Sequence, residues 1–256
     1  MSRNRFMIAA PKSGSGKTMI TCGLLRAFLL RGKKVAAFKC GPDYIDPLFH
    51  ETVVGAPSRN LDPFFTDGPM TRYLFGRHAN SADLSVIEGV MGYYDEASAY
   101  DLAQMTDTPV ILVMDARGMS LSVLAELQGF LKFRQNSGIR GVIFNRMSKS
   151  MYQLLAPMVK ETLGIRPLGY VPECPDCRLE SRHLGLVLPD EVKDLSGRLD
   201  RLAAVLEETA DLDGMLELAA EARELSAEMP AKLKQLLDSP QAENIRRTAP
   251  VIGVAR

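Results

Sequence analysis

The chain has 256 residues, 46% of them hydrophobic and 24% charged, which is the composition of an ordinary globular protein large enough for a sizeable core. Lys and Arg together number 31 and Asp and Glu also number 31, so the net charge is zero and no basic field recommends a nucleic acid as partner. No apolar run approaches the ~20 residues that cross a bilayer and no signal-peptide pattern opens the chain, so a cytoplasmic enzyme that does not meet the membrane is the expectation.

The first predicted element is a short apolar strand over 6–10. It leads into Pro11-Lys12-Ser13-Gly14-Ser15-Gly16-Lys17-Thr18 and then a helix to about residue 30, with Ile20, Leu24, Ala27 and Phe28 at 3-to-4 spacing. Strand, Gly-rich loop and helix in this order make a phosphate-binding loop, a variant with Pro11 where the first Gly of G-x-x-x-x-G-K-[ST] stands. Gly14, Ser15 and Gly16 let the backbone aim N–H groups at phosphates, Lys17 reaches the β- and γ-phosphates, and the Thr18 hydroxyl holds Mg²⁺. Lys12 adds a second cation beside the triphosphate. The expected cofactors are ATP and Mg²⁺.

A second strand over 35–39 ends in Lys39-Cys40-Gly41-Pro42-Asp43-Tyr44-Ile45-Asp46-Pro47. In isolation Asp43 and Asp46 would read as turn-capping residues. Beside a phosphate loop, one carboxylate can orient Mg²⁺ or its water while the other contacts an acceptor. The stretch 41–69, with Pro42, Pro47, Pro57, Pro63 and Pro69, reads as a long irregular segment that shields the reaction from water. A third strand over 84–87 delivers Glu88-Gly89-Val90-Met91-Gly92-Tyr93-Tyr94-Asp95, placing Glu88 where a carboxylate reaches Mg²⁺ and Asp95 where it can reach a second substrate.

Further apolar strands are expected over 110–114, 141–145 and 168–171, with helices over 120–135 and 152–163, the latter kinked at Pro157. Asn145, at a strand end, offers both donor and acceptor to the edge of a purine. Runs apolar on both faces and separated by helical segments make the fold class α/β, a doubly wound and mostly parallel sheet. After residue 191 the texture becomes helical, so 1–190 is read as the α/β domain and 191–240 as a helical portion packing on it. Residues 241–256 read as a linker and the first strand, 250–255, of a further domain. Cys22 and Cys40 read as small buried hydrophobes. Cys174-Pro175-Asp176-Cys177 has no second pair to complete a zinc set and reads as a solvent-facing loop.

The run Lys39 to Pro47 followed by His50, together with Glu88 to Asp95, resembles the cobyrinic acid a,c-diamide synthase family, including its hydrogenobyrinate-using members. Arg59-Asn60-Leu61-Asp62 and Arg182-His183-Leu184-Gly185-Leu186 resemble further family segments, so the likeness covers essentially the whole chain. Dethiobiotin synthetase is a more distant likeness that shares the variant loop and carboxylate phosphorylation, and the phosphate-loop fold of that type is implied. The resemblance implies that Lys12, Lys17 and Thr18 contact phosphates and Mg²⁺, with Asp43 and Glu88 completing that environment. It implies further that Tyr44, Ile45, Asp46 and Asp95 bind and process the corrin carboxylates, that Asn145 reads adenine, and that Tyr44, Tyr93 and Tyr94 offer the acceptor apolar surface.

The same resemblance implies ATP-dependent amidation of a tetrapyrrole in cobalamin biosynthesis, with ammonia supplied by a glutamine amidotransferase domain beyond residue 250. A homodimer is compatible with this reading. The family commonly reads E-G-V-M-G-L-Y-D-G, whereas Tyr93 and Glu96 stand here for the Leu and the last Gly, which leaves a nickel sirohydrochlorin as an alternative acceptor. A partitioning or switch ATPase is the alternative of a different class.

Overall fold

The structure, a computed structural model, describes residues 4–55, 57–95, 99–177, 188–240 and 242–244, together with the backbone of 181–182 and 185–186. The chain enters through β1 (Arg5–Ala9), passes the Gly-rich loop into α1 (Lys17–Leu30), and returns in β2 (Val35–Cys40). Then come α2 (Ile45–Val54), β3 (Arg59–Leu61), α3 (Gly68–Ala79), β4 (Leu84–Glu88), α4 (Ala99–Met105), β5 (Val110–Asp115), α5 (Ser122–Phe133), β6 (Ile139–Asn145), α6 (Lys149–Met158) and β7 (Arg166–Val171). A short hairpin, β8 (Ser181–Arg182) with β9 (Gly185–Leu186), precedes α7 (Leu195–Thr209), α8 (Leu212–Ala220) and α9 (Ala231–Leu237).

β1 to β7 form one parallel, seven-stranded sheet in the order β3-β2-β4-β1-β5-β6-β7. Strand side chains alternate between two apolar layers, which is why these strands read as unbroken hydrophobic runs. Phe6, Ile8, Ile111 and Val113 pack on one face with α1, α2, α7 and α8. Met7, Ala9, Leu112 and Met114 pack on the other with α3, α4, α5 and α6. The sheet is therefore covered by helices on both sides, and the ends of β1, β2, β4 and β6 converge on one crevice.

Several expectations are corrected. The stretch 41–69 is not irregular, because it contains α2, β3 and the start of α3. The Asp43 carboxylate accepts from the N–H groups of Ile45 and Asp46 at 2.9 and 3.1 Å, satisfying donors that the first turn of α2 leaves open. Pro47 falls in that same turn, where a missing N–H costs nothing. The helix expected to run to 163 ends as α-helix at Met158, just after Pro157, and continues as a π-helical turn over Val159–Leu163 to Gly164. Proline removes one rung of the ladder, and the next turn winds wider.

Cys174 and Cys177 form a disulfide and Cys177 lies in the core against α7, while Glu173, Pro175 and Asp176 face solvent, so the expected solvent-facing loop is corrected only at its cysteines. A short helical turn over Pro175–Cys177 brings the two sulfurs together. Cys22 and Cys40 are free and buried. α7 and α8 contribute Leu199, Leu202, Leu206, Met215 and Leu218 to the same core as Phe6 and Phe28. α9 buries no residue. The strand expected over 250–255, like Glu96, His183 and Leu184, lies outside the described residues. No helix among the described residues is long and apolar enough to cross a membrane.

Candidate active site

The phosphate loop is held from beneath by side chains far away in sequence. Gly14 and Gly16 adopt left-handed φ values of 76° and 95°. Any Cβ at Gly16 would stand 2.3 Å from the Asn145 amide nitrogen, so this position needs glycine for both conformation and space. Asn145 donates to the Ser15 carbonyl at 2.8 Å, and Arg146 donates to the Gly14 carbonyl at 3.0 Å. The Ser15 hydroxyl donates to the Lys12 carbonyl at 2.9 Å. These contacts turn the loop's carbonyls toward protein donors, and α1 begins at Lys17 with its dipole aimed at the same crevice. The Lys17 ammonium donates to the Met91 carbonyl at 2.6 Å; burial lowers its pKa and the Glu88 charge opposes that.

Next to the loop, β2 and β4 bring together a buried ionic cluster. Lys39, 2% exposed, donates to Glu88 Oε1 at 3.0 Å, to the Gly89 carbonyl at 3.1 Å and to Asp46, with Asp43 at 3.7 Å. The Thr18 hydroxyl donates to Glu88 Oε1 at 2.6 Å. On the other side His50 Nε2 lies 2.7 Å from Glu88 Oε2, and its Nδ1 lies 3.2 Å from the Ser58 hydroxyl. Buried charges are tolerated only when paired and hydrogen-bonded.

Burial works against ionisation of Glu88, but Lys39, His50 and Thr18 outweigh it and hold the carboxyl below the usual range. Asp46 is pushed up to about 7, by burial first and then by the Glu88 charge, with Lys39 opposing. Of the two carboxylates hydrogen-bonded to Lys39, Glu88 carries the charge and Asp46 takes a proton more readily. Among the described residues no group of three or more His, Cys, Asp or Glu is placed to hold a metal ion by itself, while the Thr18 hydroxyl and Glu88 Oε1, 2.6 Å apart beside the loop, are oxygen donors of the kind that a hard cation such as Mg²⁺ takes.

A cleft of about 700 Å³ opens above this cluster, and Gly14, Gly16, Lys17, Thr18, Asp43, Ile45, Asp46, Glu88 and Asn145 line it. Ser15 is buried beneath the loop. Lys12, Tyr44 and Asp95 do not line the cleft. The Lys12 side chain is exposed, and Tyr44 is 74% exposed. Asp95 accepts from the Gly92 N–H at 2.7 Å and closes the turn after β4. The acceptor surface expected of Tyr93 and Tyr94 is corrected. Tyr93 is fully buried with its hydroxyl on the Ser137 carbonyl, and Tyr94 donates to the Phe130 carbonyl. Asn145 is 2% exposed with its amide engaged by the loop.

Lys39 and His50 carry no chemical part in the expectations from sequence, although a lysine inside an apolar strand is itself a signal. Arg117 and Arg146 also went unremarked, and both line the cleft.

Residues 6–187 match the family described as the CobQ/CobB/MinD/ParA nucleotide binding domain. Cobyrinate a,c-diamide synthase of Listeria monocytogenes serotype 4b (strain F2365) is 41% identical over 217 residues, covering 81% of this chain and 48% of that protein. Hydrogenobyrinate a,c-diamide synthase of Agrobacterium fabrum is 39% identical over 228 residues, covering 86% of this chain and 52% of that one. The chain belongs to the cobyrinate/hydrogenobyrinate a,c-diamide synthase family. It spans about half the length of these family members. Among solved structures, a chain of the MinC:MinD cell division protein complex of Aquifex aeolicus superposes with a TM-score of 0.51 at 14% identity, over 99% of both chains. That likeness shows the phosphate-loop NTPase fold, which this family member shares.

Proposed function

We propose that this chain is the ATP-using half of an a,c-diamide synthase, amidating the a and c side-chain carboxylates of cobyrinate or hydrogenobyrinate through acyl phosphates. The observation that carries the reading is the set of Asp43, Asp46 and Glu88 around the buried Lys39, joined to the phosphate loop through the Thr18 hydroxyl. An ATPase that only hydrolyses needs the loop and a carboxylate for the metal. The additional aspartates on the acceptor side suit a second substrate.

The loop and the start of α1 hold the triphosphate of ATP, and Lys17 turns from the Met91 carbonyl to the phosphate oxygens. An acceptor carboxylate then attacks the γ-phosphorus. Its O–P bond forms as the β–γ bridging bond breaks, and ADP departs. A carboxylate needs no general base for this step. Lys17 and the loop N–H groups stabilise the charge that develops on the transferring group, and the exposed Lys12 joins them only by swinging in from the loop's rim. Mg²⁺, held by Thr18 and Glu88, would supply charge neutralisation to the phosphate oxygens. Ammonia attacks the acyl carbon, phosphate leaves and the amide remains. This is the carboxylate activation that the likeness to dethiobiotin synthetase implies. In this reading, the part of the family members not covered by this chain supplies ammonia from glutamine.

The test is to incubate the chain with ATP, Mg²⁺, ammonium and cobyrinic acid, with a full-length family member as positive control. ADP and the a,c-diamide are expected, with ¹⁸O from a labelled carboxylate recovered in the released phosphate. Diamide formed without label transfer would overturn the acyl phosphate. ATP turnover that responds to nickel sirohydrochlorin and not to cobyrinic acid would move the acceptor. Tyr93 does not favour that acceptor, since its ring is in the core.

A further inference from the structure

Beneath the cluster lies a polar relay that phosphate transfer does not itself require. α2 carries Asp46 and His50 one turn apart, so both side chains leave the same face of the helix. Asp46 meets Lys39, while His50 passes under it to Glu88. His50 and Glu88 are both fully buried, and Ser58, 5% exposed, backs the imidazole from the far side. The Ser58 hydroxyl in turn reaches the Ala37 carbonyl of β2 at 3.2 Å. A carboxylate can only accept, so the hydrogen between His50 Nε2 and Glu88 Oε2 belongs to the imidazole. Glu88 thus has its two oxygens assigned: Oε2 is fixed to His50, while Oε1 faces Thr18 and Lys39.

We propose that His50 is a positioning residue, clamping one oxygen of Glu88 so that the other is presented to the Thr18 hydroxyl and the cation bound with the nucleotide. The inference rests on the reading of Glu88 and Thr18 as the Mg²⁺ site given above. A histidine behind a liganding carboxylate fixes orientation rather than supplying a ligand, and loss of such a partner costs about 10–100-fold in metal affinity. A His50 that only pins α2 to the sheet would affect folding and leave the metal dependence of nucleotide binding untouched.

The experiment compares His50→Gln, whose amide nitrogen reaches the place of Nε2, with His50→Asn, which reaches only the Ser58 side. Affinity for a fluorescent ATP analogue is titrated with and without Mg²⁺, alongside a thermal melt of each protein. In His50→Asn the gain in affinity from Mg²⁺ is expected to fall by about tenfold or more, with Mg²⁺-free affinity unchanged. His50→Gln is expected to retain the gain. Equal behaviour of the two variants, or equal loss with and without Mg²⁺, overturns the positioning role. Glu88→Gln separates the two readings: if it keeps the full Mg²⁺ gain, the assignment of the cation site fails. If it loses the gain while His50→Asn keeps it, only the positioning role fails.

Discussion

Lys39 balances more charge than any other side chain of the site. Its ammonium stands among Asp43, Asp46 and Glu88 and is almost wholly buried. Lys39→Met keeps the volume and removes the cation, leaving buried carboxylates uncompensated. The expected loss is about 3 kcal/mol or more of folding stability, read as a lower midpoint of urea denaturation. An unchanged midpoint would mean that water already reaches the cluster. Asp46 gives a pH signature: its pKa in the folded protein is about 7 against an ordinary 3.8. Between those values the folded chain keeps a proton that the unfolded chain has released. The stabilisation is therefore complete below the ordinary value and is lost as pH rises through about 7. Asp46→Asn removes this dependence, so its stability relative to the unaltered protein should improve between about pH 5 and pH 8, as denaturation at both would show. A difference that stays constant would place the raised pKa elsewhere.

α1 and α7 pack closely because Gly23 has no side chain: a Cβ there would meet carbons of Leu202 and Leu206 at 2.7 Å. Leu206→Ala opens that seam and is expected to cost about 2–5 kcal/mol, measured by denaturation, with nucleotide affinity of the folded fraction unchanged. Loss of nucleotide binding at full stability would contradict it. The strands of the sheet and α1, α5 and α7 were legible because their apolar residues repeat at the period of the element that they form. β3 was not, since Arg59-Asn60-Leu61 offers one buried residue and two exposed polar ones. α2 was hidden by the prolines and aspartates around it, which are turn signals until Asp43 is seen to cap the helix. The site was half legible for the same reason. Local chemistry marked Lys17, Thr18, Asp43 and Glu88, whereas the parts of Lys39 and His50 depend on Glu88, which lies 49 and 38 residues further on.

At the scale of the whole molecule, α7 and α8 are part of the wall that the sheet packs against and not an appendage to it. Leu24 and Phe28 of α1 share one apolar layer with Leu199, Leu206, Met215 and Leu218. A chain ending at residue 190 would expose that layer and is expected to aggregate or lose cooperative unfolding, seen by size exclusion and thermal melting. A well-folded monomer of that length would show that the sheet completes its own core. The grip of Asn145 on the Ser15 carbonyl has a bearing on how the protein comes to be. The two residues are 130 positions apart, so the support that Asn145 gives to the phosphate loop exists only once β6 has joined the sheet. Retention on a nucleotide matrix therefore reports that the sheet has closed as far as β6. During synthesis, nucleotide affinity is therefore expected to arise only after β6 has been made, long after the loop itself.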